Sequence, residues 1–370
     1  MERFDIVVYG ATGFTGRQTL RVLRERAPQL AIAAAGRSAD KLAALDGPSI
    51  VADSTDPASV EAMASRARVL VSTAGPYGLY GDPVVDACVK QGTHYCDITG
   101  ETPWVRQVID RLHEAAKAKG LRLVSFCGYD SVPSDLCALL AVRELGGGAC
   151  TGLMKLGGGA LNGGSLASAL NMAESWPRSA TANPFLLNPE PRISREVWAA
   201  NADPTTPIEV HGAWGAPWVM GPINTRVVRR SAALLDYGED FSYREFQEHR
   251  SRHLARRWTL GLGAAVALLG QQWGRSLVRR FGPRPGEGPS EEQMDDGFAR
   301  LRLHCEGGRV TWSAQGDAGN RITCSILAEC ALMLLEDLRT PTGVIPPAVA
   351  FGLPLVDRLR TTGMLFSVEG

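Results

Sequence analysis

The 370-residue chain lacks a charge excess, a CxxC pair and any cysteine–histidine spacing typical of a zinc finger. Lysine plus arginine and aspartate plus glutamate both number 39. A nucleic-acid binder would carry a basic excess, so nucleic acid is not expected as a partner. The eight cysteines (Cys88, Cys96, Cys127, Cys137, Cys150, Cys305, Cys324 and Cys330) read as buried, reduced thiols of a cytoplasmic protein. His249 and His253 stand four apart, but the surrounding arginines would repel a cation, so no metal is expected. The opening Met-Glu-Arg-Phe-Asp-Ile has no apolar signal-peptide run. No HExxH, P-loop or Ser-His-Asp order points to hydrolysis or phosphoryl transfer.

The balance of 45% hydrophobic and 21% charged residues is that of a globular protein, and the length suits two domains. Phe4 to Tyr9 (FDIVVY) is a short apolar run that reads as a buried strand. Gly10, Ala11, Thr12, Gly13, Phe14, Thr15 and Gly16 follow, and then an amphipathic stretch from Arg17 to Arg26. Strand, glycine turn and helix is the context of a dinucleotide fingerprint, here spaced GxxGxxG. The glycines permit a tight turn and let backbone approach a pyrophosphate at the helix N-terminus.

A second strand, Leu30 to Ala35, ends in Gly36, Arg37 and Ser38, with Lys41 one turn later. An NAD site would place an acid here for the ribose 2′-hydroxyl. The acid is missing, and Arg37, Ser38 and Lys41 suit a 2′-phosphate, so NADP(H) is the expected cofactor. Further strands are expected at Ser49–Ala52, Val69–Thr73, Thr93–Ile98 and Leu121–Phe126, with helices at Pro57–Arg66, Pro83–Gln91 and Trp104–Lys119. This alternation specifies an α/β fold, a Rossmann doubly wound parallel sheet over residues 1–130. Ligands of such sheets sit beyond the carboxyl ends of the strands, where Asp53, Ala74, Gly75, Pro76, Tyr77, Asp97, Tyr129 and Asp130 fall. Tyr80, Tyr95 and Glu101 are further polar groups at these ends.

Four segments together resemble the saccharopine dehydrogenase-like oxidoreductases: Gly10–Gly16, Ala74–Tyr77, Gly92–Glu101 (GTHYCDITGE) and Cys127–Asp135 (CGYDSVPSD). Gly163–Leu170, Thr342–Ala348 and Leu359–Met364 are similar to the branch that contains the trans-acting enoyl reductases. Where that pattern has Gly-Asp-Pro-Gly-Tyr, this chain has Gly316-Asp317-Ala318-Gly319-Asn320. The resemblance implies an NADP(H) domain, a second α+β domain on a mixed sheet over 131–315, and a C-terminal segment, 316–370, returning to the first domain. It leaves open an activated C=C bond or a C–N bond as the target.

In the second half, Met154–Leu156 reads as a strand between Gly146–Gly148 and Gly157–Gly159, whose glycines read as turns or as a flexible wall for a bulky substrate. Asn183–Pro191 reads as loop. Arg226–Ser231 and Arg300–Cys305 alternate as strands with one wet face, Val310–Ala314 pairs with the latter, and Ile322–Leu335 is a buried helix. Residues 244–284 hold nine arginines around Leu260–Gly270, an uncharged run too short to cross a bilayer that needs about twenty residues. It reads as a packed helix pair with solvated arginines, as a peripheral membrane contact, or as a basic rim for an acyl-carrier protein.

Hydride transfer needs a proton donor or polariser beside the acceptor. Tyr129 and Asp130 near the domain junction, with Tyr77 beside the nicotinamide ribose, are the expected catalytic residues. Ser131–Ser134 could equally cap the next helix. The expected activity is NADPH-dependent reduction of an enoyl group on a lipid- or polyketide-like acyl substrate, free or carrier-bound. The alternatives are a C–N oxidoreductase and a non-catalytic NADP-binding protein of lipid surfaces. A homodimer is left open.

Overall fold

The computed structural model describes residues 3–158, 162–189, 193–284 and 286–370. The first sheet uses strands β1 (Phe4–Tyr9), β2 (Ile32–Gly36), β3 (Ser49–Val51), β4 (Ala67–Ser72), β5 (His94–Asp97) and β6 (Arg122–Val124). All are parallel, in the order β3-β2-β1-β4-β5-β6, and a short later strand, Gly343–Val344, extends the β6 edge. This is the Rossmann order. The crossovers are helices α1 (Phe14–Arg26), a short turn of helix at Ala39–Ala43, α2 (Pro57–Ser65), α3 (Asp82–Gln91) and α4 (Thr102–Ala118). Local chemistry sets their ends: Asp56 caps α2 ahead of Pro57, and Gly92 closes α3 in the left-handed region at φ 73°. Helices cover both faces of the sheet, so β2 is buried at every residue and reads as an unbroken apolar run.

Helix α5 (Val132–Leu145) leads into the second sheet, built from β7 (Ala149–Gly157), β8 (Ile208–Val210), β9 (Ala213–Pro217), β10 (Ser242–His249), β11 (Phe298–Cys305) and β12 (Gly308–Gln315). The sheet is mixed: β7 and β10 run parallel, and the other pairs are antiparallel. Gly343–Val344 is β13, and Leu365–Glu369, β14, edges this second sheet against β12. Residues 316–370 thus serve both layers. Between the sheets, Leu136, Leu139 and Leu140 of α5 join Ile6 and Val8 to Leu301, Val310 and Trp312 in one buried cluster.

Helices α6 (Gly163–Ser175), α7 (Gly221–Leu235), α8 (Arg252–Leu269), α9 (Gln272–Phe281) and α10 (Thr323–Met333) complete the framework used below. A π-helical turn, Ala318–Ile322, precedes α10, which packs on α1, β4 and β5.

Three expectations change. Arg226–Ser231 lies in α7, not in a strand. Arg226, Arg229 and Arg230 fall on one helical face and point inward. Arg226 meets Asp203 and the Thr181 carbonyl, Arg229 the carbonyls of Pro184 and Tyr243, and Arg230 those of Leu187 and Val344. Their charges are solvated by protein oxygens rather than water. Cys150 and Cys305, opposite each other on β7 and β11, form a disulfide, while the other six cysteines are free and buried. Residues 244–249 belong to β10, and the helix pair, α8 and α9, is confined to residues 252–281. Gly146, Gly147 and Gly148 all have positive φ, as turn glycines do. Gly159, with Glu190 and Pro191 of the expected loop, lies outside the described residues.

Candidate active site

Because every strand of the first sheet points the same way, the turns after β1, β2, β4 and β6 gather at one edge. In the turn after β1, Gly10 has φ +83°, and a side chain on Gly16 would start 2.2 Å from the Gly10 carbonyl oxygen. Only glycine fits either place. Gly13 caps α1 without a side chain, and no acid occupies the first turn of the helix. Its leading N–H groups, from Phe14 to Gly16, are therefore presented to an incoming anion. The N–H groups of Gly10 and Ala11 both donate to the Ala35 carbonyl at 3.0 and 3.1 Å, which seats the turn against the end of β2. There Thr12 faces Gly36, and Arg37 and Lys41 stand exposed. Ser38 caps the short helix by accepting from the Lys41 N–H. Asp53, at the end of β3, accepts from the N–H and hydroxyl of Thr55, both at 2.9 Å. These bonds, with some help from the Arg37 charge, hold its carboxyl below the usual range. Uncapped helix donors, backbone that glycine lets come close and a cation directly after β2 together fit an NADP(H) pyrophosphate and 2′-phosphate.

The turn after β4 runs Ala74, Gly75, cis-Pro76 and Tyr77. Glu101 grips it: its carboxylate accepts from the Tyr77 N–H at 2.8 Å, the Gly78 N–H at 3.0 Å and the Asn171 amide of α6 at 3.0 Å. α6 roofs this turn, with Ser168 over Gly75. The Tyr77 hydroxyl points inward and donates to the Ser72 carbonyl at 3.0 Å. Burial and the nearby Asp97 keep it protonated far above neutrality. The Tyr77 hydroxyl is thus turned into the protein, while its N–H is held by Glu101.

Asp97 is also turned inward. It accepts from the Thr99 N–H and the Ser125 hydroxyl, both at 3.0 Å, and from the Phe126 N–H at 3.3 Å. Burial pushes its pKa to about 6 against these donors. It holds Phe126 at φ 66°, a strained conformation for a bulky residue. That bend begins the turn Cys127–Ser131.

Tyr129 and Asp130 occupy this turn. Tyr129 is buried, and burial with the adjacent Asp130 carboxyl raises its pKa well above 10. Asp130 is partly open at the surface, yet desolvation raises its pKa to about 7. The buried Glu245 of β10, held by Asn224, Ser134 and Tyr243, adds to that rise. Ser131 makes no capping bond and instead donates to Asn224 at 3.3 Å.

The start of α10 joins the two parts. The Thr323 hydroxyl accepts from the Tyr129 N–H at 3.3 Å, while the neighbouring Cys324 thiol donates to the Thr15 carbonyl at 3.6 Å. Tyr129 and the glycine turn thus flank one helix end. Just before it, Asn320 stands where an aromatic was expected. Its amide donates to Asp317 at 2.6 Å, and its carbonyl oxygen accepts from Asn162, the cap of α6, at 2.7 Å. Sequence reasoning gave no sign of Asn162, Asn171 or Thr323, because their partners are between 70 and 194 residues away.

A parallel Rossmann sheet with a 2′-phosphate end and an acid–hydroxyl pair at its junction with a mixed sheet defines an NADP-dependent oxidoreductase. Residues 6–124 match the family model for the saccharopine dehydrogenase NADP-binding domain. Over 406 residues the chain is 37% identical to a Mycobacterium tuberculosis relative, covering 98% of this chain and 96% of the relative. It is 36% identical over 412 residues to the trans-acting enoyl reductase of Mycobacterium ulcerans, covering 98% and 97%. The fold is similar to that of saccharopine dehydrogenase (L-Glu forming) from Saccharomyces cerevisiae, with TM-score 0.56 and 11% identity over 99% of each chain. The chain belongs to the saccharopine dehydrogenase-like oxidoreductases, in the branch of the trans-acting enoyl reductases.

Proposed function

We propose that this oxidoreductase reduces the activated C=C bond of an enoyl thioester on a lipid- or polyketide-like chain. The observation that carries the reading is the placement of the Tyr129–Asp130 pair beside the glycine turn, across the first residues of α10. NADPH, when bound, would supply the hydride for the β-carbon. The α1 N-terminus would hold the pyrophosphate and Arg37 the 2′-phosphate, while Glu101 ties the turn after β4 to α6. Tyr129 donates its proton to the α-carbon, and Asp130 replaces it from its protonated form. Asp130, partly exposed, then recovers a proton from solvent.

A C–N reading would require a cation to receive the carboxylate of an amino acid. Arg226, Arg229 and Arg230, buried in the second domain, are already bonded to Asp203 or to backbone carbonyls. This favours the C=C reading, as do the names of the bacterial relatives. Steady-state assays discriminate directly: NADPH should be oxidised with enoyl thioesters and not with 2-keto acids plus ammonium. Turnover confined to the keto acids would replace the proposal by the C–N one.

A further inference from the structure

Helices α8 and α9 form a hairpin that is anchored on one face and bare on the other. On the anchored face, Trp258 donates to the Pro217 carbonyl at 3.0 Å. Arg275 and Arg279 of α9 pair with Glu174 of α6. Beyond that, Ala255 and Gly274 are the only buried residues among the described residues of the two helices. Trp273, Leu277 and Phe281 recur every four residues and make one stripe along α9, exposed by 64%, 46% and 77%. Leu260 of α8 is 74% exposed. From Leu260 to Gly270 the chain has no side chain able to donate or accept a hydrogen bond.

The charge around this apolar face has one sign. Residues 251–286 contain seven arginines and no aspartate or glutamate. Apart from Arg275 and Arg279, these arginines make no ion pair among the described residues, and Arg256, Arg257, Arg280 and Arg284 stand exposed. A protein partner's docking site surrounds its apolar core with a polar rim that carries about ten direct hydrogen bonds. An anionic lipid surface needs none: it needs an apolar stripe, aromatic anchors and a cationic fringe. No helix among the described residues is long and apolar enough to cross a membrane.

We propose that the α8–α9 hairpin is a peripheral membrane-docking element that inserts Leu260, Trp273, Leu277 and Phe281 into an anionic lipid interface, with the arginines on its headgroups. The hairpin rests on α6, the roof of the candidate active site, so docking would bring that roof to the lipid surface. The inference stands independently of the reaction proposed above.

Flotation of the full chain with vesicles tests it, using phosphatidylglycerol and phosphatidylcholine in equal parts against phosphatidylcholine alone. The protein should float with the mixed vesicles and not with phosphatidylcholine. Trp273→Ser/Phe281→Ser and Arg256→Ala/Arg257→Ala should each lower the bound fraction at least about tenfold. Both pairs are exposed, so NADPH binding and the thermal midpoint should stay as in the parent, which separates lost docking from lost folding. No flotation with either vesicle, or flotation that neither pair weakens, overturns the proposal. So does a stable dimer that Trp273→Ser/Phe281→Ser makes monomeric, since a second copy would then cover the stripe.

Discussion

Asn171 donates a 3.0 Å hydrogen bond to the Glu101 carboxylate, 70 residues away and across the candidate active site. The same carboxylate holds the Tyr77 and Gly78 N–H groups, so one side chain fixes the turn after β4 and the helix that roofs it. Glu101→Gln puts an amide where only acceptors fit and leaves at least one of three donors unpaired. NADPH affinity should fall about tenfold, the scale of a lost bond to a charged group. Calorimetric titration of NADPH checks it.

Arg37→Ala should weaken NADPH by about 10- to 100-fold and leave NADH nearly unchanged, because the guanidinium would meet only the 2′-phosphate. Parallel titrations of both cofactors measure this. Equal losses would remove Arg37 from the phosphate site.

Asp130 has a pKa of about 7, raised chiefly by desolvation. The proposed relay uses its protonated form, so turnover should decline as pH rises through about 7. Asp130→Asn should remove that limb and lower kcat by about 10²- to 10⁴-fold, as should Tyr129→Phe in rate. A pH–rate profile of each variant distinguishes a lost proton donor from a misfolded turn.

Asp135, buried in α5, accepts from the Ala348 N–H at 2.8 Å, and burial raises its pKa from 3.8 to about 7. A carboxyl raised in the folded state binds its proton more tightly there than in the unfolded chain. Its contribution is full below pH 3.8, falls with rising pH, and is gone once pH has passed about 7. Asp135→Asn should flatten this part of the stability curve. Urea denaturation between these pH values checks the slope.

The first sheet was legible because most of its strands carry short apolar runs and its turns carry glycine and proline. Both are local signals that need no knowledge of the rest of the chain. The strand ends located the site, but not the direction of its side chains. Tyr77 and Asp97 lie at the expected edge and turn inward, toward Ser72 and Phe126. The α7 arginines misled because cations were counted as wet, whereas 226, 229 and 230 also fit one face of a helix. Asn162 and Asn320 stand 158 residues apart, so no window of sequence contains their bond.

The central claim is hydride delivery to carbon of an enoyl thioester, with a proton relayed through Tyr129 and Asp130. Its most direct test is a single turnover with NADPH deuterated at the transferred position, followed by mass and NMR analysis of the product. The account predicts one deuterium at the β-carbon and a solvent-derived proton at the α-carbon. An unreduced thioester, or deuterium found only beside nitrogen after incubation with a keto acid and ammonium, would contradict it.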